Sequence, residues 1–118
     1  MKYDVLVIGG NGFVGGVLVR RLQREGYSVL LPTRHLAAAR DFRLLPSVHL
    51  TQADVNDQAT LNDLCSQVKP GGTVINLVGV LHDRPAKPYG KVFERAHVLL
   101  PTHCIAAMKA NGIKRYLH

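Results

Sequence analysis

Three glycines spaced Gly9-x-x-Gly12-x-x-Gly15 follow directly on the apolar run Val5-Leu6-Val7-Ile8, and this is the stretch of the chain best suited to chemistry. Glycine supplies the positive φ that a tight strand-to-helix turn needs, so Gly9 makes the turn. Gly12 lets the backbone come close to a pyrophosphate, and Gly15 lets the helix pack closely on the strand. The N–H groups of a first helical turn lack partners of their own and carry the positive end of the macrodipole, so they point at an anion. No charged side chain is needed for this. A glycine-rich turn without a ligand could share the spacing, but a strand before it and a helix after it favour dinucleotide binding.

Further along, three places could complete such a site. An acid about twenty residues beyond the turn takes the ribose hydroxyls of NAD, whereas an arginine accommodates the extra phosphate of NADP. The second strand ends Leu31-Pro32-Thr33-Arg34-His35 without an acid, so Arg34 favours NADP(H), with Arg40 and Arg43 equally able to reach a phosphate. In Ala53-Asp54-Val55-Asn56-Asp57 the Asp54 carboxylate can accept from an adenine amino group while the Val55 N–H meets a ring nitrogen. Asp57 is the better N-cap for the helix that follows, which leaves Asp54 free. Leu77, Val78 and Gly79 end the fourth strand and form a wall under the adenosine, although core packing explains Leu77 equally well.

These residues require elements that alternate. The pattern predicts a strand at 3–8, then a helix at 12–25 with Val14, Val17, Leu18 and Leu22 on one face and Gly26 as its stop. A strand at 28–31 ends at Pro32, which cannot donate to a ladder. Residues 36–45 form a short helix or a loop, and 48–52 a third strand. A helix capped by Asp57 carries Leu61, Leu64, Cys65 and Val68 at helical spacing before a break at Pro70-Gly71-Gly72. The nearly continuous apolar run 73–78 reads as a central parallel strand covered on both faces. A loop with Pro85, Pro88 and Gly90 leads to a helix at 91–110, with Phe93, His97, Leu100, Cys104 and Met108 along one side. Pro101 kinks this helix near His97. Asn111-Gly112 ends it, and 114–118 begins a fifth strand. Alternation of this kind gives an α/β fold with a parallel sheet in the order 3-2-1-4-5, and a ligand site outside the ends of strands 1 and 4.

Composition narrows the function. At 118 residues the chain forms one domain, 1–118, with no internal repeat or linker. Its apolar amino-terminal stretch is too short for a signal-peptide core, and its two cysteines, Cys65 and Cys104, suit a reducing compartment, so a soluble cytoplasmic protein is expected. Lys and Arg outnumber acids 15 to 8, and six arginines lie between Arg20 and Arg43. They are spread over a helix face and a loop without interleaved aromatics, so nucleic-acid binding is not expected. A basic rim suits a phosphate-rich cofactor and contact with an acidic protein or a membrane surface. His97 and His103 are six apart and do not share a helix face, so no metal site is expected.

Together Gly9-Gly10-Asn11-Gly12-Phe13-Val14-Gly15, Asp54-Val55 and Leu77-Val78-Gly79 resemble the extended and atypical short-chain dehydrogenase/reductase superfamily, that of the NAD(P)-dependent epimerases and dehydratases. The runs Asn76-Leu77-Val78-Gly79-Val80-Leu81-His82 and Phe93-Glu94-Arg95-x-His97-Val98-x-Leu100-Pro101 are similar to the branch of the nucleotide-binding accessory subunit of respiratory complex I. The resemblance implies a three-layer Rossmann-type sheet, truncated in strand 5. It also implies cofactor contacts at Gly9, Asn11, Gly12, Phe13, Val14, Gly15, Arg34, Asp54, Val55, Leu77, Val78, Gly79 and His97.

Two departures qualify it. Typical epimerases carry Asn-Val-x-Gly-Thr where this chain has His97-Val98-Leu99-Leu100-Pro101. Family members also supply a Tyr-x-x-x-Lys pair and a substrate lobe further on, and none of Tyr3, Tyr27, Tyr89 and Tyr116 has a lysine four residues later. In the pair the lysine lowers the tyrosine pKa so that the phenol can exchange a proton near neutral pH. The chain is therefore expected to be the amino-terminal half of a longer protein: the NAD(P)(H)-binding lobe of an oxidoreductase, inactive alone, with a small-molecule substrate only in the longer protein. The alternative is a non-catalytic NADP(H)-binding structural subunit or redox sensor. An incomplete fifth strand at the sheet edge predicts self-association.

Overall fold

Four consecutive buried residues cannot alternate between core and water, so Val5-Leu6-Val7-Ile8 must lie in a sheet covered on both faces. In the computed structural model, which describes residues 2–10, 13–78 and 99–117 and the side chains of all but Phe13 and Ala38 among them, this run belongs to the central strand. The elements are β1 (Tyr3–Ile8), α1 (Phe13–Arg24), β2 (Val29–Thr33), a 3-10 helix (Leu36–Leu44), β3 (Val48–Gln52), α2 (Gln58–Ser66), β4 (Val68–Asn76), α3 (Leu100–Ala110) and β5 (Arg115–Leu117). The sheet is parallel throughout, in the order β3-β2-β1-β4-β5, as the alternation of elements requires. Among the described residues no helix is long and apolar enough to cross a membrane.

Successive side chains of β1 serve different cores. Val5 and Val7 face a cluster with Val19 of α1, Leu31 of β2 and Ala39 and Phe42 of the 3-10 helix. Leu6 and Ile8 face the opposite cluster, built from Leu61, Leu64 and Cys65 of α2 and Leu100, Cys104, Ala107 and Met108 of α3. The Arg20 guanidinium stands 5.1 Å from the centre of the Phe42 ring, and its Nη1 donates to the Gly16 carbonyl at 3.3 Å, so α1 and the 3-10 helix are joined at their shared edge. Arg21 pairs with Glu25 at 3.0 Å. Two of the clustered arginines are thus engaged within the fold.

Four details depart from the expected pattern. Val14 and Val17 are 67% and 61% exposed, and α1 instead buries Gly15 and Val19 with Leu18 and Leu22 partly covered. A Cβ at Gly15 would collide with the Gly10 backbone, so the buried face of α1 runs through Gly15 and Val19 and the valines lie outward. Pro32 lies inside β2 rather than ending it, opposite Thr51. In β2 the Val29 N–H donates to Ser47, and the Thr33 carbonyl accepts from Ala53, so odd-numbered residues turn their polar groups to β3. Pro32 therefore turns its missing donor towards β1, whose pairing with β2 ends at Leu6 and Leu30.

The Pro70-Gly71-Gly72 stretch does not interrupt the chain of β4 but bulges within it. Tyr3 pairs with Val68 and Val5 with Thr73, so β4 loops out while β1 runs straight. Val68, expected on α2, opens β4 instead, since α2 ends at Ser66. Pro101 is the second residue of α3. The proposed kink near His97, the upstream part of that helix with Phe93, and the loop with Pro85, Pro88 and Gly90 lie outside the described residues. Both α1 and α3 close as the sequence indicates. Tyr27 N–H donates to Leu22 and Gly26 N–H to Gln23, while Ile113 and Gly112 repeat the arrangement on Met108 and Lys109.

Candidate functional site

The order of strands reverses between β1 and β4, whose crossovers leave in opposite directions, and their carboxyl ends border the natural crevice of such a sheet. Gly9 leaves β1 with φ +78°, and a Cβ there would stand 3.0 Å from the Val78 nitrogen and 3.1 Å from the Leu77 carbonyl carbon. The turn therefore lies flat against the exit of β4, where the Leu77 N–H donates to the Ile8 carbonyl at 2.8 Å. Gly15 brings the helix onto the same spot. A Cβ on it would meet the Gly10 Cα at 2.5 Å and the Gly10 carbonyl carbon and oxygen at 2.6 and 2.7 Å. A Cβ on Gly10 in turn would collide with Leu31 Cδ1. Helix backbone touches turn backbone, and the first turn of α1 carries no acidic residue to oppose an anion.

Asn76, the last residue of β4, is fully buried at 0% exposure and holds this exit in shape. Its Oδ1 accepts the Val78 N–H at 3.0 Å, and its Nδ2 donates to the Tyr116 phenol oxygen of β5 at 3.0 Å. Burial pushes the Tyr116 phenol above its ordinary pKa; the hydrogen bond from Asn76 opposes that shift and the neighbouring Cys104 adds to it.

On the other side of β1, the buried Thr33 accepts the His35 N–H on its hydroxyl at 3.1 Å and turns the chain at the end of β2. Arg34, between them, is exposed. The Ala53 N–H donates to the Thr33 carbonyl at 2.9 Å, so the exits of β2 and β3 are tied and Arg34 and Asp54 occupy neighbouring positions on the rim. Asp54 is exposed but not free, since its Oδ1 accepts the Asn56 N–H at 3.0 Å. The extended backbone of Asp57 makes it the N-cap of α2, yet its carboxylate accepts from the Thr60 hydroxyl at 2.7 Å instead of from a helical N–H. Capping by Asp57 is thus made by its backbone, and Asp54 is the carboxylate that orders the preceding turn.

Gly9 meets Leu77 and Val78, and Gly15 meets Gly10, where β1 and β4 end, while Arg34 and Asp54 stand exposed beyond the ends of β2 and β3. Val55 is half-buried, its side chain packed on the α2–α3 core. Val14 is exposed on the first turn of α1. Phe13 opens that helix. Asn11, Gly12, Gly79 and His97 lie outside the described residues. Reasoning from the sequence passed over Asn76 and Thr33. A lone amide in an otherwise apolar central strand was the available signal for the first. Cys65 and Cys104 are buried between α2 and α3, with thiols raised by burial to about 11 and about 12, which suits apolar filling.

A doubly wound parallel sheet with a glycine turn seated at its switch point defines the class. The chain belongs to the NAD-dependent epimerase/dehydratase family, whose model matches residues 5–118. No curated protein sequence matches it significantly. Among solved structures it is similar to Pen from Bacillus thuringiensis, with 16% identity and a TM-score of 0.79 over 98% of this chain and 36% of that one. The Bordetella bronchiseptica enzyme WbmG, solved in complex with NAD and UDP, shares 18% identity with a TM-score of 0.75 over 98% of this chain and 37% of its own. ElxO with NADP bound shares 19% identity with a TM-score of 0.74 over 93% of this chain and 50% of its own. These likenesses establish the fold. The chain spans from about a third to half the length of these proteins.

Proposed function

We propose that this chain is a nicotinamide-dinucleotide-binding lobe of the epimerase/dehydratase type, with the pyrophosphate over the Gly9–Gly15 turn and the adenosine towards Arg34, Asp54, Val55, Leu77 and Val78. The observation that carries the reading is the contact of Gly15 with the Gly10 backbone: only a residue without Cβ lets the first turn of α1 end directly over the crevice. Asn11, Gly12, Phe13, Val14, Gly79 and His97 are further cofactor contacts in this reading. When bound, the nicotinamide supplies hydride transfer; the chain's own part is to bind and orient. Arg34, exposed and without an acid beside it, favours NADP(H) over NAD(H). WbmG and ElxO, solved with NAD and with NADP, support the cofactor class and leave the choice to Arg34.

This chain contains no Tyr-x-x-x-Lys pair, so by itself it binds and does not catalyse. A second reading is favoured by His97-Val98-Leu99-Leu100-Pro101 in place of Asn-Val-x-Gly-Thr: a structural subunit or redox sensor of the complex I accessory type, in which a held nucleotide supports an interface. Calorimetric titration with NADPH and NADH tests the proposal. Saturable binding with NADPH at least tenfold tighter is expected; equal or stronger binding of NADH refutes the role of Arg34, and no binding of either refutes the site.

A further inference from the structure

The buried amide at the end of β4 connects two regions that share no other stated function. Asn76 is fully buried and has a donor group and an acceptor, each of which needs a partner away from water. Its acceptor is taken by the Val78 N–H two residues on, and one donor hydrogen is taken by the phenol of Tyr116, forty residues away in sequence. Val78 is also the residue whose nitrogen lies 3.0 Å from the open side of Gly9. A chain of contacts therefore runs from the edge strand β5 through Asn76 and Val78 to the turn that begins the nucleotide seat. The amide can swing about its terminal torsion unless both ends are held.

We infer that Tyr116 is a positioning residue: by holding the Asn76 amide it fixes the Leu77-Val78 exit against Gly9 and so sets the affinity of the site for its nucleotide. The inference rests on the dinucleotide reading above. Tyr116 acts through the Asn76 amide, whose Nδ2 donates to its phenol oxygen. Without the phenol oxygen, the Asn76 Nδ2 turns to find another acceptor and carries its Oδ1 away from the Val78 N–H. The exit of β4 then samples positions that crowd the Gly9 turn.

Tyr116→Phe keeps the ring and removes only the oxygen, so the 118-residue chain carrying it retains its core. The Kd for NADPH rises about tenfold, and hydrogen exchange at the Val78 amide quickens at least tenfold while exchange at Leu6 and Val7 does not. Val48→Ala, on the far edge of the sheet, provides a comparison of similar stability loss in urea. Its NADPH affinity stays within twofold of the parent, which separates positioning from general loosening. An unchanged Kd in Tyr116→Phe, or an equal loss in Val48→Ala, overturns the inference. Should the parent chain bind neither NADPH nor NADH, the dinucleotide reading fails on its own. The Val78 exchange rate then still decides whether the Tyr116–Asn76 clamp exists, and an unchanged rate removes it as well.

Discussion

The two ends of the same sheet are held together by different physics. At the amino end a charged side chain joins three elements: the Asp4 carboxylate accepts from the Ser28 N–H at 2.8 Å and the Ser28 hydroxyl at 3.1 Å, and pairs with the Lys69 ammonium. Lys69 holds the Asp4 carboxyl below its usual value, and the Ser28 N–H adds to the effect. At the carboxyl end no ion pair does this work among the described residues. There the fit is backbone on backbone, Gly15 on Gly10 and Gly9 on Val78, braced by the neutral amide of Asn76. The amino end is thus held by a paired charge, Lys69 on Asp4, and the carboxyl end by close backbone contact, with Arg34 and Asp54 exposed at the ends of β2 and β3.

The largest effect is expected from breaking the backbone fit. Gly15→Val places carbon where the Gly10 Cα and carbonyl already stand, and should destabilise the fold by about 3 kcal/mol in urea unfolding and abolish nucleotide binding. Its neighbour sharpens the comparison. A Cβ at Gly16 meets only the end of the Arg20 side chain at 3.1 Å and Phe42 at 3.7 Å, so Gly16→Ala should be neutral or gain up to about 1 kcal/mol from helix propensity.

Arg34→Glu comes next. It should weaken NADPH by about tenfold to a hundredfold in calorimetry while leaving NADH within threefold, and change stability by less than about 0.5 kcal/mol. Equal losses for both nucleotides would mean that Arg34 does not read the extra phosphate.

Asp4→Asn tests the other end. Because the folded carboxyl titrates below its unfolded value of 3.8, its stabilisation is present above that value and disappears as pH falls through the lower folded value. The variant should lose about 1 kcal/mol at pH 7, a gap that narrows below about pH 4, with NADPH affinity unchanged. A fall in affinity would contradict the separation of the two ends. The smallest effect concerns the thiols: raised to about 11 and about 12, Cys65 and Cys104 should resist alkylation in the folded chain at pH 8 and react only in denaturant.

Much of the sheet could be read from the residues. Val5-Leu6-Val7-Ile8 announces a strand buried on both faces, and the spacing of Leu61, Leu64 and Cys65 announces the helix that packs on it, because each pattern has one way to hide its apolar atoms. Pro32 and Pro70-Gly71-Gly72 misled for a common reason. Their local preferences argue against a strand, but the neighbouring strand had either turned away or could tolerate a bulge, and neither fact is local. Val14 and Val17 belong to the apolar stripe by periodicity, yet the contact face of α1 follows its two glycines. The close backbone contacts of Gly9 and Gly15 were legible from the glycine spacing. The Asn76–Tyr116 bond was not, since it pairs residues forty positions apart whose types alone carry no sign of each other.

Backbone amide NMR with NADPH titrated into the chain tests the central claim most directly, because each end of the sheet reports separately. Saturable shifts concentrated at Gly9, Gly10, Val14, Gly15, Leu77 and Val78, with Asp4, Ser28 and Lys69 unmoved, are the result predicted. Shifts centred on Asp4, Ser28 and Lys69, or none that saturate, would contradict it.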